Sequence, residues 1–182
     1  MTRPAARVGA VVLAAGLLAG CGHGTRPGTP PPDPPASMPA QVDGPLPVVD
    51  VVDGDTLTVR RAGAVVTVRL LGVDTPETVH PNEPVQCYGP EAAARAAEML
   101  TGQRVWLETD PSQDQVDQYG RELAYVWLPG DRLVNLQLLT GGYARECTYN
   151  LPHAHQAAFR AAEADAVAAQ RGLWSPAACP SR

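Results

Sequence analysis

The run from Val65 to Leu71, and the break after it, constrain this chain more than any other stretch. Val65-Val66-Thr67-Val68-Arg69-Leu70-Leu71 is rich in β-branched residues, which fit a pleated surface, and it predicts a strand. A period of two puts Val66, Val68 and Leu70 on one face and Val65, Thr67, Arg69 and Leu71 on the other. Arg69 therefore leaves the sheet opposite Val68 and Leu70. Gly72 opens a turn, and Pro76, which lacks an N–H, ends the strand. Asp74 and Glu77 lie in that turn, so two anions and a cation can share one small cleft. Alone, the stretch reads equally well as a strand end with a solvated polar turn.

The flanking segments extend the pattern. Val48 to Val52 and Leu57 to Arg60 read as strands joined by Asp53-Gly54-Asp55-Thr56, a tetrapeptide with turn chemistry. Arg61 to Ala64 turns into the central strand, which completes an antiparallel meander. Gly89-Pro90-Glu91 opens a helix through Leu100, with proline in the first turn and acids near the N-terminus. Arg104 to Thr109 and Glu122 to Leu128 are two further strands. Val134 to Leu139 is a short helix closed by Gly141-Gly142, and His153 to Arg171 an Ala-rich helix ending at Gly172. Phe159 shares a helix face with Ala162 and Ala166 and is expected to anchor that helix. Five strands with about three packed helices suit an α+β fold, a Greek-key barrel of the OB type.

Asp53 and Asp55 resemble the start of an EF-hand loop only briefly. Leu57 stands at the fifth position, where an oxygen ligand belongs, and Ala64 at the twelfth, where Glu belongs. The meander instead brings Asp55 and Asp74 to the ends of neighbouring strands. Two carboxylates, a backbone carbonyl and waters suit a hard cation such as Ca²⁺ or Mg²⁺. In Asp117-Gln118-Tyr119-Gly120-Arg121 the arginine emerges at a strand start, where its planar fork can meet phosphate oxygens. Charge limits what such a site can hold. The chain has 14 arginines, no lysine and 19 acidic residues, for a net charge of -5. That excludes a general nucleic-acid coat, so contact with a polyanion must be local or helped by a cation. With 5% aromatic residues, the composition also argues against a wide base-stacking platform.

The N-terminal region reads differently. Residues 1–20 form an export signal, with Arg3 and Arg7 before the apolar run Val8 to Leu18, too short for a mature spanning helix. Leu18-Ala19-Gly20-Cys21 resembles a bacterial lipobox, which implies lipidation of Cys21 and anchoring to the outer face of the cell membrane. Residues 21–46 form a linker. Gly22 to Pro47 holds nine of the chain's 19 prolines and few large apolar residues, too few to bury a core. The folded domain is expected at 47–176, followed by a tail at 177–182.

Taken together the motifs resemble the staphylococcal nuclease-like, or thermonuclease, family. They are VVDGDT (Val51 to Thr56), RLLGVDTPET (Arg69 to Thr78), YGPEA (Tyr88 to Ala92), DQYGRELAYVW (Asp117 to Trp127), Val134-Asn135 and GLWS (Gly172 to Ser175), all in the family's order. The resemblance spans about Val48 to Ser175. It implies an OB-type barrel and Ca²⁺-dependent hydrolysis of DNA and RNA that leaves 3′-phosphate ends. By motif it makes Asp55 and Asp74 calcium carboxylates and Thr75 a carbonyl ligand. Glu77 becomes the general base, Arg69 and Arg121 the phosphate-binding arginines, and Tyr119 a phosphate contact. Tyr149 is a candidate nucleoside-packing residue. Gln118 stands where the type protein often has Lys, which removes one phosphate contact. A catalytically silent OB module binding nucleic acid or protein is the alternative, although such members typically lack this acidic and arginine set. A monomer is expected.

The cysteines fit neither a zinc ribbon nor a CxxC site. With Cys21 set aside, Cys87, Cys147 and Cys179 allow three pairings in an exported protein. Cys87–Cys179 is preferred, closely followed by Cys147–Cys179. His153 and His155 are read as surface histidines rather than metal ligands, and His80 is assigned no role.

Overall fold

The computed structural model describes residues 37–79, 84–149 and 151–179. The expected signal segment, Cys21 and His80 lie outside them. The meander is β1 (Asp43–Val51), β2 (Thr56–Arg61) and β3 (Ala64–Leu70). It is followed by β4 (Val73–Asp74) and α1 (Gly89–Leu100). Next come β5 (Arg104–Glu108), β6 (Glu122–Leu128), β7 (Arg132–Leu133) and α2 (Val134–Thr140). Finally there are β8 (Arg145–Glu146), α3 (Gln156–Ala168) and a 3₁₀ turn at Gly172–Trp174.

The main sheet has the order β3-β2-β1-β5-β6-β7. It closes because β3 also pairs with β6, in parallel, with Arg69 opposite Leu123. Closure of five strands makes the expected OB-type barrel and removes the free edges of β3 and β6. Leu57, Val59, Val68, Val105 and Val126 are fully buried in its core. Burial on both faces of β6 explains its nearly continuous apolar run. Tyr125 and Trp127 meet the α3 side, where the Tyr125 ring stands edge-on to Phe159 at 6.0 Å. Phe159 is fully buried and thus anchors α3 as expected. A side chain of this kind contributes about 3–5 kcal/mol when lost to alanine.

Several boundaries differ from the sequence reading. β1 begins at Asp43, not near Pro47, because Asp43 and Leu46 pair with Leu107 and Val105 of β5. The packing of Met38 against the core extends the ordered chain further upstream. α3 starts at Gln156 rather than His153. The Ala154 N–H is drawn instead to Asp110 Oδ2 at 2.7 Å, and His153 is held by its side chain. β4, β7 and β8 have two residues each, too short for a periodic signal. β4 and β8 nonetheless pair with each other, Val73 with Glu146 and Asp74 with Arg145. Cys87 and Cys179 form a disulfide with Cα atoms 5.8 Å apart, and Cys147 is free.

Candidate active site

A cleft of about 660 Å³ opens beside the ends of β2 and β3. The turn after β1, the turn after β3 and the approach to β6 all contribute to it. Asp53, Asp55, Arg69, Asp74, Thr75, Glu77, Tyr119, Arg121 and Tyr149 line it. Every catalytic, metal and substrate residue expected from the sequence therefore meets in one place.

Arg69 is its buried centre, with 6% of its surface exposed. Its Nη1 donates to the carbonyls of Leu70 at 3.0 Å and Val73 at 2.7 Å. Its Nη2 donates to Asp74 Oδ1 at 2.9 Å and lies 3.1 Å from Asp55 Oδ2. Burial disfavours the cation, but Asp55 and Asp74 among its neighbours outweigh that and hold the guanidinium above its ordinary pKa. Asp55 is fixed in turn. Its Oδ2 accepts the Thr75 N–H at 2.8 Å and hydroxyl at 2.9 Å, and its Oδ1 accepts the Thr56 hydroxyl at 3.1 Å. These bonds join the β1–β2 turn to the β4 turn, which are distant in sequence.

Arg121 lies across the cleft. Its Nε donates to Asp117 Oδ2 at 2.7 Å, and its guanidinium stands 5.4 Å from the Tyr119 ring centre. Tyr119 and Tyr149 are 73% and 69% exposed, so their rings are available to a ligand. Glu77 Oε1 accepts the N–H groups of Thr78 at 2.8 Å and Val79 at 2.7 Å, which orients the carboxylate. Gln86 holds the Glu77 main chain from both sides, its side-chain oxygen on the Glu77 N–H and its own N–H on the Glu77 carbonyl.

Four carboxylates, of Asp53, Asp55, Asp74 and Glu77, line this cleft with two guanidiniums. The Asp53 carboxyl is pushed up to about 6, first by burial and then by Asp55, with Glu77 adding to it. The Asp74 carboxyl is also raised, by burial and by Asp55 against the pull of Arg69. Burial is the first cause of both shifts and neighbouring carboxylates add to it, and an all-oxygen donor set of this kind suits a hard cation. Among the described residues no three His, Cys, Asp or Glu side chains gather closely enough to chelate a metal by themselves. A cation here would therefore need a main-chain carbonyl and water besides Asp55 and Asp74.

Sequence reasoning missed several supporting groups. Asp53 lies in the expected turn but has a distinct role: its Oδ1 accepts the Asp55 N–H at 3.0 Å. Asp117 was legible only as part of a motif, and Gln86 carried no signal at all. His153 and His155 are not surface residues. His153 is 5% exposed, and His155 Nε2 is 3.2 Å from both Glu108 oxygens. Tertiary packing on Tyr125, invisible in the local pattern, buries His153 and half-buries His155.

Barrel and cleft together define a class: an OB-type α+β domain with an anionic cleft spanned by two guanidiniums. The family model described as "Staphylococcal nuclease homologue" matches residues 67–176. The thermonuclease of Staphylococcus hyicus is 43% identical over 128 residues, covering 70% of this chain and 74% of that protein. That of Staphylococcus intermedius is 44% identical over 124 residues, covering 68% and 72%. Endonuclease YncB of Bacillus subtilis (strain 168) is 41% identical over 125 residues, covering 68% of this chain and 58% of that protein. The chain belongs to the staphylococcal nuclease family.

Proposed function

We propose that this nuclease hydrolyses phosphodiester bonds of DNA and RNA with the help of Ca²⁺ and leaves 3′-phosphate ends. The observation that carries the reading is the convergence of Glu77, Arg69 and Arg121 on one cleft with an excess of carboxylates. Glu77 takes a proton from the attacking water, a role that contributes about 10²- to 10⁴-fold. Arg69 and Arg121 hold the phosphate and stabilise the charge that builds on its oxygens, at about 3–4 kcal/mol for each such donor. Ca²⁺ held by Asp55, Asp74 and the Thr75 carbonyl would supply further positive charge beside the phosphate. Tyr119 and Tyr149 offer ring faces to the flanking nucleotides. The test is single-turnover cleavage of a short DNA by wild type, Glu77→Gln and Arg121→Lys, with Ca²⁺ or EDTA. Glu77→Gln should lose at least about 10²-fold in rate, and EDTA should abolish cleavage. Folded variants within a few-fold of wild type would refute these residue roles, and a wild type that cleaves no DNA with Ca²⁺ would favour the silent binding module instead.

The same protein is, in our reading, exported and lipid-anchored at Cys21 on the outer face of the cell membrane. The motif Leu18-Ala19-Gly20-Cys21 after an apolar run supports this. Cys21→Ala should release the protein from membranes or block its processing; unchanged partitioning would refute the anchor.

A further inference from the structure

His153 sits directly behind the turn that carries Asp74. A Cβ on Gly72 would fall 2.6 Å from His153 Cε1 and 2.8 Å from its Nε2, so the imidazole edge lies against the Gly72 main chain. Gly72 has φ +77, which suits only glycine beside so close a ring. The residues that flank this turn, Leu70 and Val73, give their carbonyls to Arg69 Nη1. Both ring nitrogens face polar partners. Nδ1 is 3.0 Å from the Tyr125 hydroxyl, and Nε2 is 3.3 Å from Glu146 Oε1. Glu146 belongs to β8, whose pairing with β4 places it opposite Val73. We propose that His153 is a positioning residue: wedged behind Gly72 and tied to Tyr125 and Glu146, it fixes the turn whose flanking carbonyls seat the Arg69 guanidinium.

Counting protons sharpens the argument. The Tyr125 hydroxyl has one hydrogen, and it goes to Asp110 Oδ2 at 2.9 Å. Asp110 is an ionised acceptor. Burial raises its carboxyl, but the Ala154 and Ser112 N–H groups and the Ser112 and Tyr125 hydroxyls outweigh that and hold it low. The Tyr125 oxygen therefore accepts from His153, and Nδ1 bears the hydrogen. In neutral His153, Nε2 then turns a lone pair on the Glu146 carboxylate. Only the imidazolium completes both bonds. The tie to β8 thus strengthens on protonation. Burial holds the imidazole below its ordinary value, against Glu146 and Asp110, while His155 adds to the downward push. Glu146 is held besides by Arg160 Nε, 3.2 Å from its Oε2, and by the Thr148 hydroxyl on its Oε1, while the Glu163 carboxylate accepts its N–H at 3.2 Å.

The inference rests on reading Arg69 as a phosphate-binding arginine, so its test includes that residue. Single-turnover cleavage of a short DNA in Ca²⁺ is measured for His153→Phe and His153→Gln, each alone and combined with Arg69→Lys. His153→Phe keeps the ring and loses both bonds. It should slow cleavage about 10- to 100-fold, with half-saturation changed less than about threefold, as a misplaced catalytic group would. In the Arg69→Lys background the same substitution should cost less than about threefold, because the group it positions is gone. His153→Gln, which retains a polar end near Glu146, should recover part of the loss. The ratio of wild-type to His153→Phe rates should grow as pH falls through a one-proton step below 6.5. Equal losses in both backgrounds, a rate within twofold of wild type, a flat pH ratio, or unfolding of both variants would each overturn the inference alone. Arg69→Lys cleaving at the wild-type rate would instead bring down the function reading, and this inference with it.

Discussion

Arg121 reaches the cleft because Asp117 holds it. One carboxylate takes the Arg121 Nε at 2.7 Å on Oδ2 and the Arg121 and Tyr119 N–H groups, both at 2.9 Å, on Oδ1. Asp117→Asn keeps the shape but removes the charge that strengthens these bonds. It should lower kcat about tenfold or more with little change in KM, read by steady-state cleavage of a short DNA. The same residue predicts a pH effect. Burial pushes the Asp117 carboxyl up, but the bonds from Arg121 and Tyr119 outweigh it and hold the carboxyl below its ordinary value. A folded pKa below the unfolded value of about 3.9 stabilises fully above that pH and ceases to do so as pH falls through the folded value. Urea unfolding from pH 5 to pH 2 should therefore show a shallower loss of stability in Asp117→Asn than in wild type.

At the scale of elements, α2 is more than packing. Asn135, fully buried, accepts the Val126 N–H of β6 at 2.9 Å and donates to the Leu71 carbonyl just after β3, also at 2.9 Å. One side chain thus ties the helix to both strands whose parallel pairing closes the barrel, and it holds the root of the Arg69 turn. Asn135→Leu would leave two buried main-chain groups without that partner, at about 1–3 kcal/mol each. We expect a stability loss of about 2–5 kcal/mol, measured as a shift of the urea midpoint with unchanged slope. The end of α2 is equally demanding. A Cβ on Gly142 would lie 2.2 Å from the Arg171 carbonyl, which explains why glycine closes this helix where the C-terminal segment crosses.

For the whole molecule, two long-range features matter. The Cys87–Cys179 bridge spans a sequence separation of 92 residues and ties the C-terminal tail to the chain just before α1. Chain entropy assigns such a loop about 4–5 kcal/mol, and measured losses commonly run at about 2–5. Cys87→Ser should lower unfolding free energy within that range, as should reduction of the wild type. Charge is the other. Beyond Pro45 the chain has 11 arginines against 17 acidic residues, a balance of -6, so under the proposed function its hold on a polyanion would come from Arg69 and Arg121 rather than from a basic surface. Each neutralised phosphate contributes about 0.7–0.9 to the salt slope, so log K against log salt should fall with a slope between about -1 and -2. Binding of Glu77→Gln protein to a short DNA across a salt series measures it, and a slope near -6 would refute the two-arginine reading.

Much of this molecule is determined locally. The period-two run of β3, the Asp-Gly-Asp turn, the Gly-Pro opening of α1 and the glycine closure of α2 are short-range chemistry, and each is legible in the chain; α3 instead ends at Ala168, four residues before the expected Gly172, which opens the 3₁₀ turn. Also legible were four of the residues that line the cleft, because strand alternation sends Arg69 to the face opposite Val68 and Leu70 and turns place Asp55, Asp74 and Glu77 at strand ends, whereas Thr75, Tyr119 and Tyr149 came only from the family motifs. Pairing between segments far apart was not legible. The parallel closure of β3 on β6, the two-residue β4–β8 ladder and the seating of β1 from Asp43 depend on which edges meet, and a short segment carries no periodic trace of its partner. The histidines show the same limit most sharply. Nothing near His153 in sequence marks it as buried, since what buries it are Tyr125, Glu146, Phe159 and the bare face of Gly72, brought together only by the closed barrel and its docked helix. Local conformational preference selects the elements and their outward groups, whereas the choice among long-range partners is made by burial and hydrogen-bond satisfaction over the whole core.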